Sequence, residues 1–264
     1  MKIWYQLVSS PVRSSNFLNA VQEHCNAVAS PGTEVLVRGT PRGGFADQYS
    51  SLLHLDGAEI LRLARSGATA ESVDVYAMAN CLDPAVQGLR ELLDVPVLTL
   101  MEVGCFVATL MGERFGVIAP NRKMIPTLTN IISGYGYASR LTDMVPLEFG
   151  RITDMDALFV DDDFAKSTVE AIETQAAQLV KGGAEVILTP GPIACLVARE
   201  GLTSVDGAPV IDMYAALVGF AESVGNLASR GLRTSRLGAY SSPTADQVEQ
   251  AFETVWPIPE DRSL

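Results

Sequence analysis

The sequence predicts an α/β fold in which parallel sheets are covered by helices on both faces. Apolar runs of strand length alternate with helical stretches along the whole chain, the rhythm of strand–helix–strand units. The 264 residues are 48% hydrophobic and 19% charged, which places the chain among globular proteins and supplies a core for one large domain or two small ones.

The elements follow in order. Residues 3–8 are apolar and stop at Ser9-Ser10-Pro11, which reads as a strand and its end. A helix over 16–29 leads to a strand at 33–38, centred on Glu34-Val35-Leu36-Val37. The loop Gly39-Thr40-Pro41-Arg42-Gly43-Gly44 lacks the glycine spacing of a phosphate-binding loop and reads as a flexible loop or lid. Helix 56–65, strand 73–78, helix 86–93, strand 95–100, helix 102–111 and strand 114–119 come next. Helix 124–133 is broken by Gly134-Tyr135-Gly136. Asp161-Asp162-Asp163 could offer oxygens to a divalent cation, but directly before a helix over 164–179 the run reads more simply as capping and dipole pairing, so no metal is expected. Strand 184–188 runs into Thr189-Pro190-Gly191-Pro192 and a helix. Strand 209–212 precedes a helix over 214–228, and the tail from Ser241 reads as one helix and a Pro-rich end.

Composition excludes several roles. The net charge is -12, from 19 basic and 31 acidic residues, which argues against nucleic acid or an anionic membrane as partner, since both need a basic face. No apolar run reaches membrane-spanning length, and Met1-Lys2-Ile3-Trp4-Tyr5-Gln6 reads as a strand, not a signal peptide. The four cysteines, at 25, 81, 105 and 195, form no CxxC pair, and there are two histidines, so neither a zinc cluster nor a disulfide framework is indicated. The expectation is a reduced, soluble, cytoplasmic protein.

Ligands of parallel sheets gather at the carboxyl ends of strands. The residues at such positions are Gln6, Ser9 and Ser10; Asn80 and Cys81; Glu102; Asn121 and Arg122; Thr189, Pro190, Gly191 and Pro192; and Asp212. Cys81 leads them. It follows the run Asp74-Val75-Tyr76-Ala77-Met78-Ala79, and Pro84 marks the expected first turn of a helix whose N–H groups would favour the thiolate. A thiolate is a nucleophile and a base for carbon acids; the alternative is a small buried thiol. Cys105, inside an apolar helix, reads as core, and Cys25 as surface or half-buried. His24 and Cys25 are helix neighbours pointing about 100° apart, which argues against a dyad. His54 could be a general acid, with a structural role favoured.

Six segments, in this order and spacing, carry a resemblance. They are Pro31-Gly32-Thr33-Glu34-Val35, Cys81-Leu82-Asp83-Pro84, Asp94-Val95-Pro96-Val97, Arg114-Phe115-Gly116-Val117, Gly183-Ala184-Glu185-Val186-Ile187-Leu188 and Pro209-Val210-Ile211-Asp212. With them the chain resembles the aspartate/glutamate/hydantoin racemase superfamily over nearly its whole length, and hydantoin racemases most of all. The resemblance implies two similar lobes related by a pseudo-two-fold axis, residues 1–100 with 214–264 forming the first and 101–213 the second, with the site between them. It implies chemistry without a cofactor. One Cys thiolate removes a proton α to a carboxylate or imide carbonyl, and the Cys of the other lobe delivers one to the opposite face, because inversion requires delivery from the far side. Loop N–H groups and hydroxyls stabilise the enediolate-like intermediate. A small-molecule substrate and a homo-oligomer are implied as well.

Two departures stand out. Cys81 occupies the first-lobe position, but Pro190 stands where the second-lobe Cys belongs; Cys195, in the following helix, should point away from the strand ends, the alternative being that a loop insertion brings it into the second role. Where the family often has Asn-Pro-Asn, this chain has Val8-Ser9-Ser10-Pro11, whose hydroxyls can still hold an anion. The expected function is a Cys81-dependent, cofactor-independent racemase or isomerase of a small carboxylate or cyclic imide. Gln6, Ser9, Ser10, Asn80, Asn121, Thr189 and Gly191 are its expected substrate-binding residues. A single thiolate also supports a hydrolase or lyase. A non-catalytic small-acid-binding protein would keep the fold with an ordinary thiol at position 81.

Overall fold

One strand–helix unit of four repeats is used twice. In the computed structural model, which describes residues 1–69, 71–148 and 152–256, the first pass is β1 (Lys2–Gln6), α1 (Ser15–Val28), β2 (Glu34–Arg38), α2 (Ser50–Leu63), β3 (Val75–Met78), α3 (Val86–Leu92), β4 (Val97–Thr99) and α4 (Leu100–Met111). The second is β5 (Phe115–Ala119), α5 (Ile125–Gly134), β6 (Leu141–Pro146), α6 (Asp162–Lys181), β7 (Val186–Leu188), α7 (Pro192–Arg199), β8 (Ser204–Val205), β9 (Ala208–Ile211) and α8 (Met213–Ser229). Helix α9 (Ala245–Val255) follows. The first sheet has the order β2-β1-β3-β4 and the second β6-β5-β7-β9-β8. Every pairing is parallel except β8 with β9. Setting aside the two-residue β8, the two sheets are wired alike.

Both faces of each sheet are buried, and side-chain alternation assigns them. Ile3, Tyr5, Val75 and Ala77 join Val117, Ala119, Val186 and Leu188 in one apolar cluster that runs through both sheets. Their neighbours in sequence face outward into separate clusters: Trp4, Tyr76 and Met78 on the first sheet, Ile118, Ile187 and Val210 on the second. The last helix of each pass crosses over. Helix α4 packs on β7 and β9 of the second sheet, while α8 packs on α1, β3 and β4 of the first.

Side-chain hydrogen bonds join the two halves. Asp156 accepts the Phe17 N–H at 2.8 Å and the Asn16 amide at 2.8 Å, satisfying N–H donors at the open start of α1. Asp83, just beyond β3, accepts the Tyr135 hydroxyl from the end of α5 at 2.7 Å and the Thr99 hydroxyl at 2.9 Å.

The elements read from the sequence are present, with shifted ends. The structure adds β6, which polar residues and Pro146 disguise; it lies at the sheet edge, where proline is tolerated. Helix α2 starts at Ser50 and continues into a π-turn over Ala64–Ala68. Pro84 lies in a turn ahead of α3, not in its first turn. Asp161 caps α6, accepting the N–H groups of Asp163 and Phe164. Cys25 is a correction: it is fully buried, because Phe17, Val21 and Cys25 form the inner stripe of α1. All four cysteines are free thiols. Among the described residues no helix is long and apolar enough to cross a membrane. The Pro-rich end, with Pro257 and Pro259, lies outside the described residues.

Candidate active site

The carboxyl ends of β1, β3, β5 and β7 converge on one cavity. It is lined by Ser9 beyond β1, Asn80 and Cys81 beyond β3, Pro120 and Asn121 beyond β5, and Gly191 and Pro192 beyond β7. Asp47 and Gln48, Phe17, Met124, Met155 and Tyr214 complete most of the wall. In each sheet the first strand has the second on one side and the third on the other, so the crevice opens at the switch point of the strand order. Its volume is about 20 Å³, room for one water molecule.

A tight turn presents Cys81. The Asn80 carboxamide oxygen accepts the Leu82 N–H at 2.8 Å, and the Asn80 carbonyl accepts the Asp83 N–H at 3.2 Å. Asp83 and Ala85 both have positive φ, +43° and +60°, conformations that cost non-glycine residues energy and that cluster at functional sites. The thiol is buried. Burial pushes its pKa well above the ordinary value, and the carboxylates of Asp47 and Asp83 add to that. The expectation of a thiolate favoured by a helix N-terminus is therefore corrected: α3 starts at Val86, and desolvation dominates.

Facing the thiol is the second lobe's counterpart loop. Gly191 has φ +80° and ψ −156°, a conformation close to glycine-only territory. A Cβ at Gly191 would lie 3.4 Å from Pro120 and 3.8 Å from the Cys81 Sγ, so the bare Cα forms the wall over the sulfur. Cys195 is buried in α7 and does not line the cavity; burial, then the Asp212 carboxylate, push its thiol to about 12.

The other expected residues divide. Ser9, Asn80, Asn121 and Gly191 share the cavity with Cys81. Gln6 does not, because alternation turns it to the outer face of the first sheet. There it accepts the Trp4 indole N–H at 2.8 Å and donates to the Leu7 carbonyl. Ser10 does not either; its hydroxyl donates to the Pro41 carbonyl and accepts the Val12 N–H. Thr189 is not in the lining; it is buried two residues before Gly191, and its hydroxyl has no partner. His54 is exposed on α2, with Nδ1 on the Ser50 carbonyl.

Three polar wall residues were invisible to sequence reasoning. Asp47 is buried in the loop after β2. One carboxyl oxygen accepts the Asn80 amide at 3.0 Å, and the other has no partner. Burial raises its pKa, opposed by the Asn80 hydrogen bond and by the electrostatic pull of the nearby backbone N–H groups of Asp47 and Gln48. Tyr214, in the first turn of α8, brings a buried hydroxyl without a partner. Gln48 is the third. A lone acid between a glycine-rich loop and a helix carries no spacing signal that marks it.

The loop itself is pinned down. Gly44 donates its N–H to Asp56 at 3.1 Å, Thr40 donates its hydroxyl to the Val8 carbonyl, and Arg13 stacks on Phe45 at 3.8 Å while donating to the Gly43 carbonyl. Burial, with the Asp47 charge adding and the Gly44 N–H opposing, brings Asp56 up to about 6.

Two parallel sheets wired alike, with a crevice where their strand ends meet, define a class of two-lobed α/β proteins. Residues 7–221 match the Asp/Glu/Hydantoin racemase family, and the chain belongs to it. Among curated proteins it is 27% identical over 238 residues to a hydantoin racemase of Pseudomonas sp. strain NS671, covering 88% of this chain and 89% of that one. Two allantoin racemase structures share its fold at 22% identity. That from Pseudomonas fluorescens has a TM-score of 0.75 and covers 92% of this chain and 97% of its own; that from Klebsiella pneumoniae has a TM-score of 0.73, with 92% and 94% covered.

Proposed function

We propose that this protein inverts a stereocentre α to a carbonyl in a small uncharged cyclic imide or amide of the hydantoin type, without a cofactor, using Cys81. The carrying observation is the charge of the cavity. Among its described lining residues there is no Lys, Arg or His, while Asp47 lines it and Asp83 lies close enough to Cys81 to raise its thiol. A free amino acid or diacid would bring a carboxylate into this acidic, desolvated space without a cation to receive it. A neutral ring would not. Hydrogen-bonding groups in or beside the wall, at Ser9, Asn80, Asn121, Thr189 and the Gly191 backbone, suit its carbonyls and the enolate oxygen that develops when the proton leaves.

Cys81 is the base in this reading. Its raised pKa leaves the thiol as the main form near neutral pH, so alkylation of Cys81 by iodoacetamide should speed up as pH increases above neutrality. The lobes are taken as residues 1–100 with 214–264 and 101–213, supported by the crossing of α4 and α8. The reducing cytoplasm suits four free thiols, and a homo-oligomer is part of the same proposal.

The test is a panel of enantiopure 5-substituted hydantoins, amino acids and diacids, followed by chiral chromatography and mass spectrometry, with Cys81→Ala alongside. The expected result is inversion of a hydantoin at unchanged mass, reduced by at least about 10³-fold in the variant. A product heavier by one water would make the protein a hydrolase. Turnover confined to amino acids or diacids would defeat the uncharged-ring reading.

A further inference from the structure

Inversion at carbon needs two proton carriers, and this cavity offers one thiol. Position 190, at the end of β7, is a proline, and Cys195 packs away from the cavity. Among the described wall residues the side chains with a proton to move are Cys81, Asp47, Tyr214 and the Ser9 hydroxyl. Ser9 is too weak an acid to serve near neutral pH. Burial, then the neighbouring thiols Cys195, Cys81 and Cys25 and the Asp212 carboxylate, drive the Tyr214 phenol further above its ordinary value, out of working range.

We propose that Asp47 is the second proton carrier of the cavity, filling the part that Pro190 cannot. This rests on the racemase reading above. Three observations support it. Asp47 is 1% exposed, yet one carboxyl oxygen has no hydrogen-bond partner, and the residue borders the cavity. The other oxygen is fixed by the Asn80 amide, next in sequence to Cys81, so the carboxyl is aimed and not free to swing. Asp47 follows β2 and Cys81 follows β3, which flank β1 on opposite sides, so the two loops reach the cavity from strands about 10 Å apart.

The electrostatics fit a shared proton. Asp47 and Asp83 are near enough for their charges to act on the Cys81 thiol, Cys81 acts on Tyr214, and Asp47 acts on Asp56. Two acids in one desolvated space resist ionising together, so one negative charge serves the pair. Burial of the thiol leaves that charge mainly on Asp47, with the proton on sulfur; the form that reacts with one enantiomer is the minor partner of this one, Cys81 as thiolate and Asp47 as neutral acid. The thiolate takes the α-proton: the C–H bond breaks, S–H forms, and the electron pair passes into the ring carbonyl as an enolate. Asp47 then gives its proton to the other face of the carbon, the enolate pair forming the new C–H bond and leaving a carboxylate. One proton moving from the Cys81 thiol to that carboxylate restores the start, and the reverse reaction exchanges the roles.

The test is Asp47→Asn, whose carboxamide oxygen can still accept the Asn80 N–H. Two quantities are measured in D₂O: inversion of each enantiomer, and wash-in of deuterium without inversion. Inversion should fall by about 10²-fold or more, while wash-in persists for the enantiomer that Cys81 deprotonates. The pH profile of Cys81 alkylation by iodoacetamide, read by peptide mass spectrometry, should move to lower pH, since a neighbouring charge is gone. Asp47→Glu should recover part of the inversion, and it carries the test if the Asn variant does not fold. Inversion and wash-in falling in step, or an unmoved alkylation profile, would overturn the proposal. A wild-type protein that neither inverts nor exchanges any hydantoin would instead defeat the racemase reading. The alkylation profile would then decide the Cys81–Asp47 pairing alone: a shift upholds it, and no shift removes it.

Discussion

At the scale of single residues, the wall over the sulfur is a glycine because nothing larger fits its conformation. Gly191→Ala should cost roughly 1–3 kcal/mol through its positive φ, and it places a methyl group against Pro120 and the Cys81 Sγ. The expected outcome is a folded protein of lower thermal midpoint whose turnover falls more than its substrate affinity. A variant as active as the wild type would show that the wall yields. Residues that end strands in a parallel sheet were legible, and Ser9, Asn80, Cys81, Asn121 and Gly191 do share one cavity. Gln6 misled because it is the last residue of its strand and alternation turns it outward. Asp47 was hidden because its place depends on how a long loop folds back, which no local pattern encodes.

At the scale of elements, the loop between β2 and α2 is held shut by a few polar contacts, the Gly44–Asp56 bond among them. Losing one buried acceptor is worth about 1–3 kcal/mol. Asp56→Ala should therefore let the loop open more often and speed alkylation of the buried Cys81 by about tenfold at fixed pH, relative to Cys105 in the same sample. An unchanged rate would mean that the thiol is reached by another path. The glycine-rich stretch read as a flexible loop or lid from its composition, and its anchors, Asp56 in α2 and Arg13 in the turn before α1, gave no hint of contact. Strand β6 was missed for a similar reason. An edge strand with one covered side and a terminal proline lacks the continuous apolar run that marked the inner strands.

At the scale of the molecule, the halves meet at a buried acid. Burial raises Asp83 to about 7, against the hydrogen bonds from Tyr135 and Thr99 that favour its charged form. A carboxyl whose folded pKa lies above its ordinary value stabilises the fold at low pH. That contribution is complete below about pH 4 and is lost as pH rises through about 7. Its full size is on the order of 4 kcal/mol. The thermal midpoint of the wild type should fall between pH 5 and 8, and that of Asp83→Asn should fall less. Parallel slopes for the two proteins would remove Asp83 as the cause. The alternation of elements made parallel sheets covered on both faces legible, but not their strand order; the exchange of α4 and α8 agrees with the lobe bounds that the resemblance implied and had no signal of its own, because both helices are strongly apolar.

The smallness of the crevice bears on fidelity. A space that holds one water when shut must widen to admit a ring and, closed over it, leaves little bulk solvent beside the reacting carbon. In the proposed reaction a carbanion formed there would be quenched by the groups of the wall and not by stray hydronium or hydroxide, so the narrowness that shuts out the guest at rest would also protect it from the solvent once inside.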